Sequence, residues 1–405
     1  MSTHSKRKHI KAVSQKVKLF RANEPLLSVF MWGVNHTISA LSHVNIPVML
    51  MPDDFKAFTK TRVDNHMFNK ENMPSHFKVK EYCPIVFRNL RERFSVDDTD
   101  YMNSLTKSQP VLAKYQGRSG GRILISYDNK FLITTSGPEE VEQMHHILKQ
   151  YHQHIVENHG QTLLPQYMGM YRLTVEGGET YLIISKNVLS KNLPIHKVYD
   201  LKGSTIDRQA SEKEKAKDLP AYKDNDFVEE GVKLIVGPEA KEKFMEKLTR
   251  DVGFLTNLHL MDYSLLVGIH DCQTGRDAAD ALQEEYENEN GTDAEGSESD
   301  NGGQKPTPPG TPSPKTAVEV APFDFDLEFH PEEDIYGIPG TEEEDGNRKE
   351  VYYLALIQVL TEYNAQKRTA HAMKTVKHGT RADISTVGPE QFSRRLLDFV
   401  AKVIE

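Results

Sequence analysis

Between Pro25 and Leu41, the residues Leu26, Leu27, Phe30, Met31, Val34, Ile38 and Leu41 recur at helical spacing, and the proline suits a first turn. A second helix is predicted over 80–95, with Tyr82, Val86, Phe87, Leu90 and Phe94 on one face. Residues 121–136 read as a hairpin in which Ile123–Ile125 and Phe131–Ile133 flank an Asp128-Asn129 turn. Ser136 and Glu139 bracket Pro138 as a capping box, opening a helix whose stripe is Val141, Met144, Leu148, Tyr151 and Ile155. A further hairpin turns at Gly177-Gly178 and ends in the strand Tyr181–Ser185. Beyond it the pattern predicts a strand at Val198–Leu201 and a helix of about 240–258 with Phe244, Leu248, Val252 and Leu255 inward. It then predicts a buried strand at Tyr263–Ile269, an apolar run at Val351–Leu360, and a last helix after Pro389 carrying Phe392, Leu396, Phe399 and Val403. The fold class is α+β in two lobes. A basic arm covers 1–24, an N-terminal lobe with a dimerisation part 25–185, and a C-terminal lobe 186–405.

That last lobe is interrupted. Residues 271–345 hold 22 acids against Arg276, Lys305 and Lys315, and include the run Pro306–Pro314. Such composition buries too little apolar surface to order itself, so a disordered acidic insert is expected there. Removing it changes the electrostatic picture: the chain is −9 overall, but the insert alone carries −19 and the remainder +10. A body of that sign suits anionic lipid, phosphate ligands or nucleic acid. Aromatic residues do not interleave with the basic ones as single-strand binding requires, so nucleic acid is not expected. The apolar runs are too short to span a bilayer, and the basic start has no apolar core behind it to act as a secretion signal. Two cysteines, Cys83 and Cys272, exclude a disulfide scaffold and a four-cysteine zinc site, which points to a reducing cytosolic or nuclear compartment.

Four segments could carry chemistry. Gly117-Arg118-Ser119-Gly120-Gly121-Arg122 can bring backbone amides and two guanidinium groups to phosphates, or is an ordinary glycine turn before a strand. Asp200-Leu201-Lys202-Gly203-Ser204 places a carboxylate, an ammonium and a hydroxyl at one strand end; a salt-bridged turn accounts for it nearly as well. Asp262, ahead of the apolar strand, serves either as a cap or as a catalytic acid or base. Residues 364–382 carry Lys367, Arg368, Lys374, Lys377 and Arg381 with no acid, as a solvated loop or as a segment meeting anionic headgroups. The acid-free N-terminal 21 residues pose the same choice between solvated tail and basic arm.

Asp200–Ser204 and Met261-Asp262-Tyr263-Ser264-Leu265-Leu266 resemble the two signature motifs of the phosphatidylinositol phosphate kinases. Lys16–Ala22, Pro47–Phe55, Glu71–Phe77, Val86–Phe94 and Lys374–Gly379 resemble the type II branch, the phosphatidylinositol-5-phosphate 4-kinases. The resemblance covers nearly the whole chain except the acidic insert. It implies a two-lobed kinase-like fold, dimerised through its N-terminal part as a homodimer or a heterodimer with a related lipid kinase. It also implies a flat basic face on a phosphoinositide membrane, and a cytoplasmic location at inner or endosomal membranes, or in the nucleus. The implied reaction moves the ATP γ-phosphate to the 4-hydroxyl of phosphatidylinositol 5-phosphate, with Mg2+. In matching positions Asp262 resembles the catalytic aspartate, and Gly117, Ser119, Gly120 and Gly121 match the phosphate-covering loop. Asn187, Val188 and Leu189 match the hinge against the base, Lys202, the lysine of the first motif, is expected among the nucleotide-binding residues, and Lys367, Arg368, Ala370, Lys374 and Lys377 match the lipid-reading segment. Ala370 stands where type II members carry a small residue, which fits 5-phosphate, 4-hydroxyl specificity.

Two departures bear on activity. Thr134 stands where the family has its ATP-binding lysine, and Lys130 lies four residues away, ~13 Å at strand rise. Gln358 stands where the family has a magnesium-binding aspartate. Leu189 replaces an aromatic at the hinge, which leaves both ATP and GTP open as the nucleotide. Very low turnover is expected, with a catalytically dead, membrane-binding pseudokinase that pairs with an active relative as the alternative.

Overall fold

The computed structural model describes residues 20, 22–64, 73–114, 121–279, 281, 329–341, 349–364 and 387–405. The chain divides into two compact units, one of 1–187 with 360–362 and one of 188–359 with 363–405.

The first unit holds helix α1 (Pro25–Leu41), strands β1 (Phe58–Asp64) and β2 (His76–Tyr82), and helices α2 (Pro84–Arg93) and α3 (Asp98–Thr106). Strands β3 (Val111–Leu112), β4 (Ile123–Ile125) and β5 (Phe131–Ser136), helix α4 (Pro138–Glu157), and strands β6 (Tyr167–Val175) and β7 (Gly178–Lys186) follow. Its seven strands form one antiparallel sheet in the order β1-β2-β6-β7-β5-β4-β3. Helix α1 lies directly on β2: a Cβ at Gly33 would come within 2.9 Å of Val79 Cγ1. Trp32 meets Phe77 edge-on at 5.1 Å. The stripe read on α4 is buried as expected.

Three local expectations shift. The helix read over 80–95 begins only at Pro84, because His76–Tyr82 is a strand whose inward positions are Phe77, Val79 and Glu81. An acid in the core hid that alternation. The cap of α4 falls on Gly137, whose N–H donates to Glu140 at 3.2 Å, since Ser136 is still paired with Tyr181 in the sheet. The β6–β7 turn centres on Glu176 and Gly177, both at positive φ, while Gly178 already pairs with Val175. Positive φ at both central residues matches the right-handed twist of the strands.

The second unit contains β8 (Lys197–Leu201), α5 (Glu212–Lys215), β9 (Ala221–Lys223), α6 (Asp224–Glu229), α7 (Pro238–Asn257) and β10 (Ser264–Asp271). It closes with β11 (Gly337–Pro339), β12 (Glu350–Ile357) and α8 (Pro389–Val403). The sheet order is β11-β12-β10-β8-β9, antiparallel except for the parallel β8–β9 pair. β10 and β12 are buried almost throughout, which is why they read as continuous apolar runs. The inward residues predicted for α7 are buried, and in α8 Val400 is buried where Phe399 is half-exposed.

The insert is narrower than 271–345. Asp271 completes β10, residues 272–279 are helical, and at the other end Tyr336 is buried and Ile338 pairs with Tyr352. Tyr336 and Ile338 anchor its C-terminal border in the fold. The disorder predicted for 282–328 and 342–348 lies outside the described residues, as do 365–386 and nearly all of the basic arm.

Candidate functional site

Strand register brings three separated residues to one end of the five-stranded sheet. Leu201 pairs with Leu265, and Ser264 pairs with Ile357. Lys202 therefore leaves β8, Asp262 lies just ahead of β10, and Gln358 leaves β12 at a common edge. The Lys202 Nζ donates to Asp262 Oδ1 at 2.6 Å and to its backbone carbonyl at 2.5 Å. The Lys202 side chain is 3% exposed and that of Asp262 33%, so the pair has a buried cation and a carboxylate that meets solvent. Burial pushes the Lys202 ammonium below the usual lysine range, and the carboxylates of Asp262 and Asp200 only partly offset it.

Asp262 and Gln358 both adopt left-handed backbone, φ +65 and φ +59. Aspartate tolerates this region far better than most side chains, and non-glycine residues held there concentrate at functional sites. The conformation at 358 thus suits an aspartate better than the glutamine that occupies it.

Beneath the pair is a buried ionic network. Asp224, the first residue of α6, accepts the backbone N–H groups of Lys202 at 2.9 Å, Gly203 at 2.7 Å and Ser204 at 3.3 Å, all on Oδ1. Its Oδ2 accepts from Arg208 Nε at 2.6 Å, and Arg208 reaches the Asp200 carboxylate at 2.8 Å and the Asp200 carbonyl. Burial works against an ionised Asp200, but the charges of Arg208 and Lys202 outweigh it and hold its carboxyl below the usual range. The salt-bridged turn and the chemical strand end are therefore the same object. Asp224 and Arg208 were not legible as site residues: Asp224 lies 22 residues from the amide it holds, and no local spacing signals that contact.

The remaining sequence candidates sit as follows. Thr134 is half-buried on β5 between Ile123 and Ile183, and carries no charge. Lys130 lies 3.9 Å from Asp128 in the preceding turn. Gly121 packs against the Thr135 carbonyl, where a Cβ would collide, and Gly117, Ser119 and Gly120 lie outside the described residues. Arg122, open in the sequence between a phosphate contact and an ordinary turn, forms a two-pronged ion pair with Glu24 at 2.8 and 2.9 Å. Asn187 donates from its side chain to the Asn129 carbonyl at 2.9 Å. Val188 is buried, and Leu189 packs over Gly268 and onto the cluster of Leu193, Val351 and Tyr353. Lys367, Arg368, Ala370, Lys374 and Lys377 lie outside the described residues.

A hard cation at this strand end finds one carboxylate and one neutral amide carbonyl. Among the described residues, no three His, Cys, Asp or Glu side chains gather as a metal site. Magnesium favours charged oxygen ligands, so these donors do not fit it as an aspartate pair would.

Comparison with known proteins gives a consistent result. The family model described as Phosphatidylinositol-4-phosphate 5-Kinase matches residues 105–403. The phosphatidylinositol 5-phosphate 4-kinase type-2 alpha of Gallus gallus is 57% identical over 404 residues, covering 99% of this chain and 96% of that protein. The human type-2 alpha protein has the same figures. The type-2 beta protein of Mus musculus is 57% identical over 395 residues, 97% of this chain and 93% of its own length.

Proposed function

Because this chain belongs to the phosphatidylinositol phosphate kinases, in the phosphatidylinositol 5-phosphate 4-kinase branch, we propose that it transfers phosphate from ATP to the 4-hydroxyl of phosphatidylinositol 5-phosphate very slowly. The observation that carries this reading is the strand end where Lys202 grips Asp262 beside Gln358. Asp262 would take the proton of the attacking hydroxyl, and Lys202 would fix the orientation of its carboxylate. The family uses ATP and magnesium. Here the two groups that would neutralise the transferring phosphate are replaced, by Thr134 and Gln358. Phosphoryl transfer is mostly positioning and charge stabilisation, and losing one such group commonly costs ~10²–10³ in rate. The two losses serve one assembly and need not add. Leu189, apolar and packed into its own unit, leaves the choice between ATP and GTP to assay.

The same two residues favour a second reading, a pseudokinase scaffold that pairs with an active relative on phosphoinositide membranes. Two surface features support membrane and dimer partners. Lys60, Lys80 and Arg172 stand side by side across β1, β2 and β6. Like charges in register are unfavourable unless anions meet them; Glu179 meets Arg172 at 3.2 Å, and Lys60 and Lys80 extend the row beyond it. Strand β1 ends its sheet on an open edge among the described residues and carries the exposed Phe58, as a strand awaiting a second copy would. No described helix is long and apolar enough to cross a membrane, so attachment is proposed to be peripheral.

The test is radiolabelled ATP turnover on phosphatidylinositol 5-phosphate vesicles by wild type, Thr134→Lys, Gln358→Asp and the double variant. Either single change should recover little and the double ~10² or more. Asp262→Asn in the double background should abolish the gain. A wild type as fast as its relatives, or a folded double variant no faster than wild type, would overturn the reading.

A further inference from the structure

A loop that carries a buried lysine has to hold both the ammonium and its own backbone against desolvation. The Lys202 ammonium is almost fully buried, and its backbone leaves the sheet through Gly203 at φ +66 into three successive N–H groups that point the same way. Three parallel N–H dipoles left in the interior without an acceptor would each carry a desolvation cost and would reopen the turn. Convergent amides of this kind commonly form a nest for an anion. Here the anion is supplied from within: Asp224 fills the nest with one oxygen, while the other is held by Arg208, itself clamped to Asp200 on the strand that leads into the loop. Asp200, Lys202, Ser204, Arg208 and Asp224 are all at most 3% exposed, so the network is shielded from solvent on every member. From the far side, α8 closes the loop: a Cβ on Gly203 would lie 2.8 Å from the Arg395 carbonyl and 3.1 Å from Phe399 Cβ.

We propose that Asp224 is a positioning residue for phosphoryl transfer: its carboxylate, held by Arg208, sets the Lys202–Ser204 backbone and so the geometry of the Lys202–Asp262 pair. This rests on the kinase reading of that pair. Asp224 touches no reacting atom and works only through Lys202. A one-ångström displacement of a catalytic group can remove ~10² of rate, so the effect belongs in kcat rather than in nucleotide binding.

The experiment uses the full chain with Asp224→Asn, which keeps the shape but loses the charge and turns an N–H toward Arg208. Lysine acylation by acetic anhydride, followed by mass spectrometry across pH, reads the titration of Lys202 without needing turnover. Above its titration, where the amine is neutral in both proteins, Lys202 should react about tenfold faster, as expected for the loss of one or two net hydrogen bonds, while the titration itself should move up toward that of an ordinary lysine. Lys241, which donates to the Ile404 carbonyl at the end of α8, should react as in wild type. In the Thr134→Lys/Gln358→Asp background, kcat should fall ~10-fold or more with KM for ATP unchanged. Asp224→Glu should restore part of the protection of Lys202.

Unchanged Lys202 reactivity in folded Asp224→Asn would overturn the proposal, as would a loss confined to KM. If that variant does not fold, Gly203→Ala presses on the same loop from the α8 side. It should raise Lys202 reactivity with the rest of the lysine pattern intact, and a protected Lys202 there would overturn the proposal equally. Absence of turnover in every variant would defeat the kinase reading alone, because the acylation contrast still decides what Asp224 does.

Discussion

Glu81 is the test case for how the first unit stores electrostatic free energy. It is 1% exposed on β2, paired in register with Thr59 and Tyr171. The Tyr171 hydroxyl donates to its Oε1 at 3.2 Å. Burial drives its carboxyl from the ordinary 4.5 up to about 7, although Arg91, Tyr171 and Thr37 pull the other way. Arg91 is itself committed elsewhere, to Asp98 at 2.7 Å and to the Met168 carbonyl at 2.7 Å. The sign follows from proton counting. Between about 4.5 and 7 the unfolded chain has released this proton and the folded chain retains it, so stability falls as pH rises through that window and is level above it. A shift of this size corresponds to roughly 3 kcal/mol. Glu81→Gln imitates the protonated form at every pH and should abolish that part of the slope. At pH 8 the variant should melt ~6–12 °C above wild type, and near pH 4.5 the two should coincide. Thermal melts of both proteins from pH 4.5 to 8 measure the difference, in which the other titrating groups cancel. Parallel curves across the window would refute the reasoning, because they would mean that Arg91 already holds Glu81 ionised in the fold.

Two further predictions concern partners and the insert. Binding to vesicles containing anionic lipid should weaken steeply between low and high salt, and Lys60→Glu with Lys80→Glu should remove most of it; cosedimentation insensitive to salt would exclude an electrostatic face. Deleting 282–328 should leave the melting temperature and the oligomeric state unchanged, since that composition contributes no core; a clear drop in either would show that the segment packs.

Much of the local architecture was legible because it depends on neighbours in sequence. The stripes of α4, α7 and α8 and the continuous apolar runs of β10 and β12 are periodicities set by burial, and they survive folding, whereas α1 is buried all round from Leu27 to Val34. The motif residues Lys202 and Asp262 were legible as chemistry, and Thr134 and Gln358 as departures from a family pattern. The tertiary structure alone decided what those residues do to one another. Lys202, Asp262 and Gln358 meet only because β8, β10 and β12 pair in register, and Asp224 and Arg208 join them through hydrogen bonds spanning 22 and 16 residues. Left-handed backbone at Asp262 and Gln358 is likewise invisible in composition, because it is imposed by the strand ends. Glu81 shows the same limit from the other side. A charged residue at an inward strand position breaks the alternation that announces a strand, and only the packed core of Tyr171, Arg91 and Thr37 makes it a tolerable place for a carboxyl. Local pattern reports which surfaces are buried, whereas the partner that makes each burial tolerable lies far away along the chain.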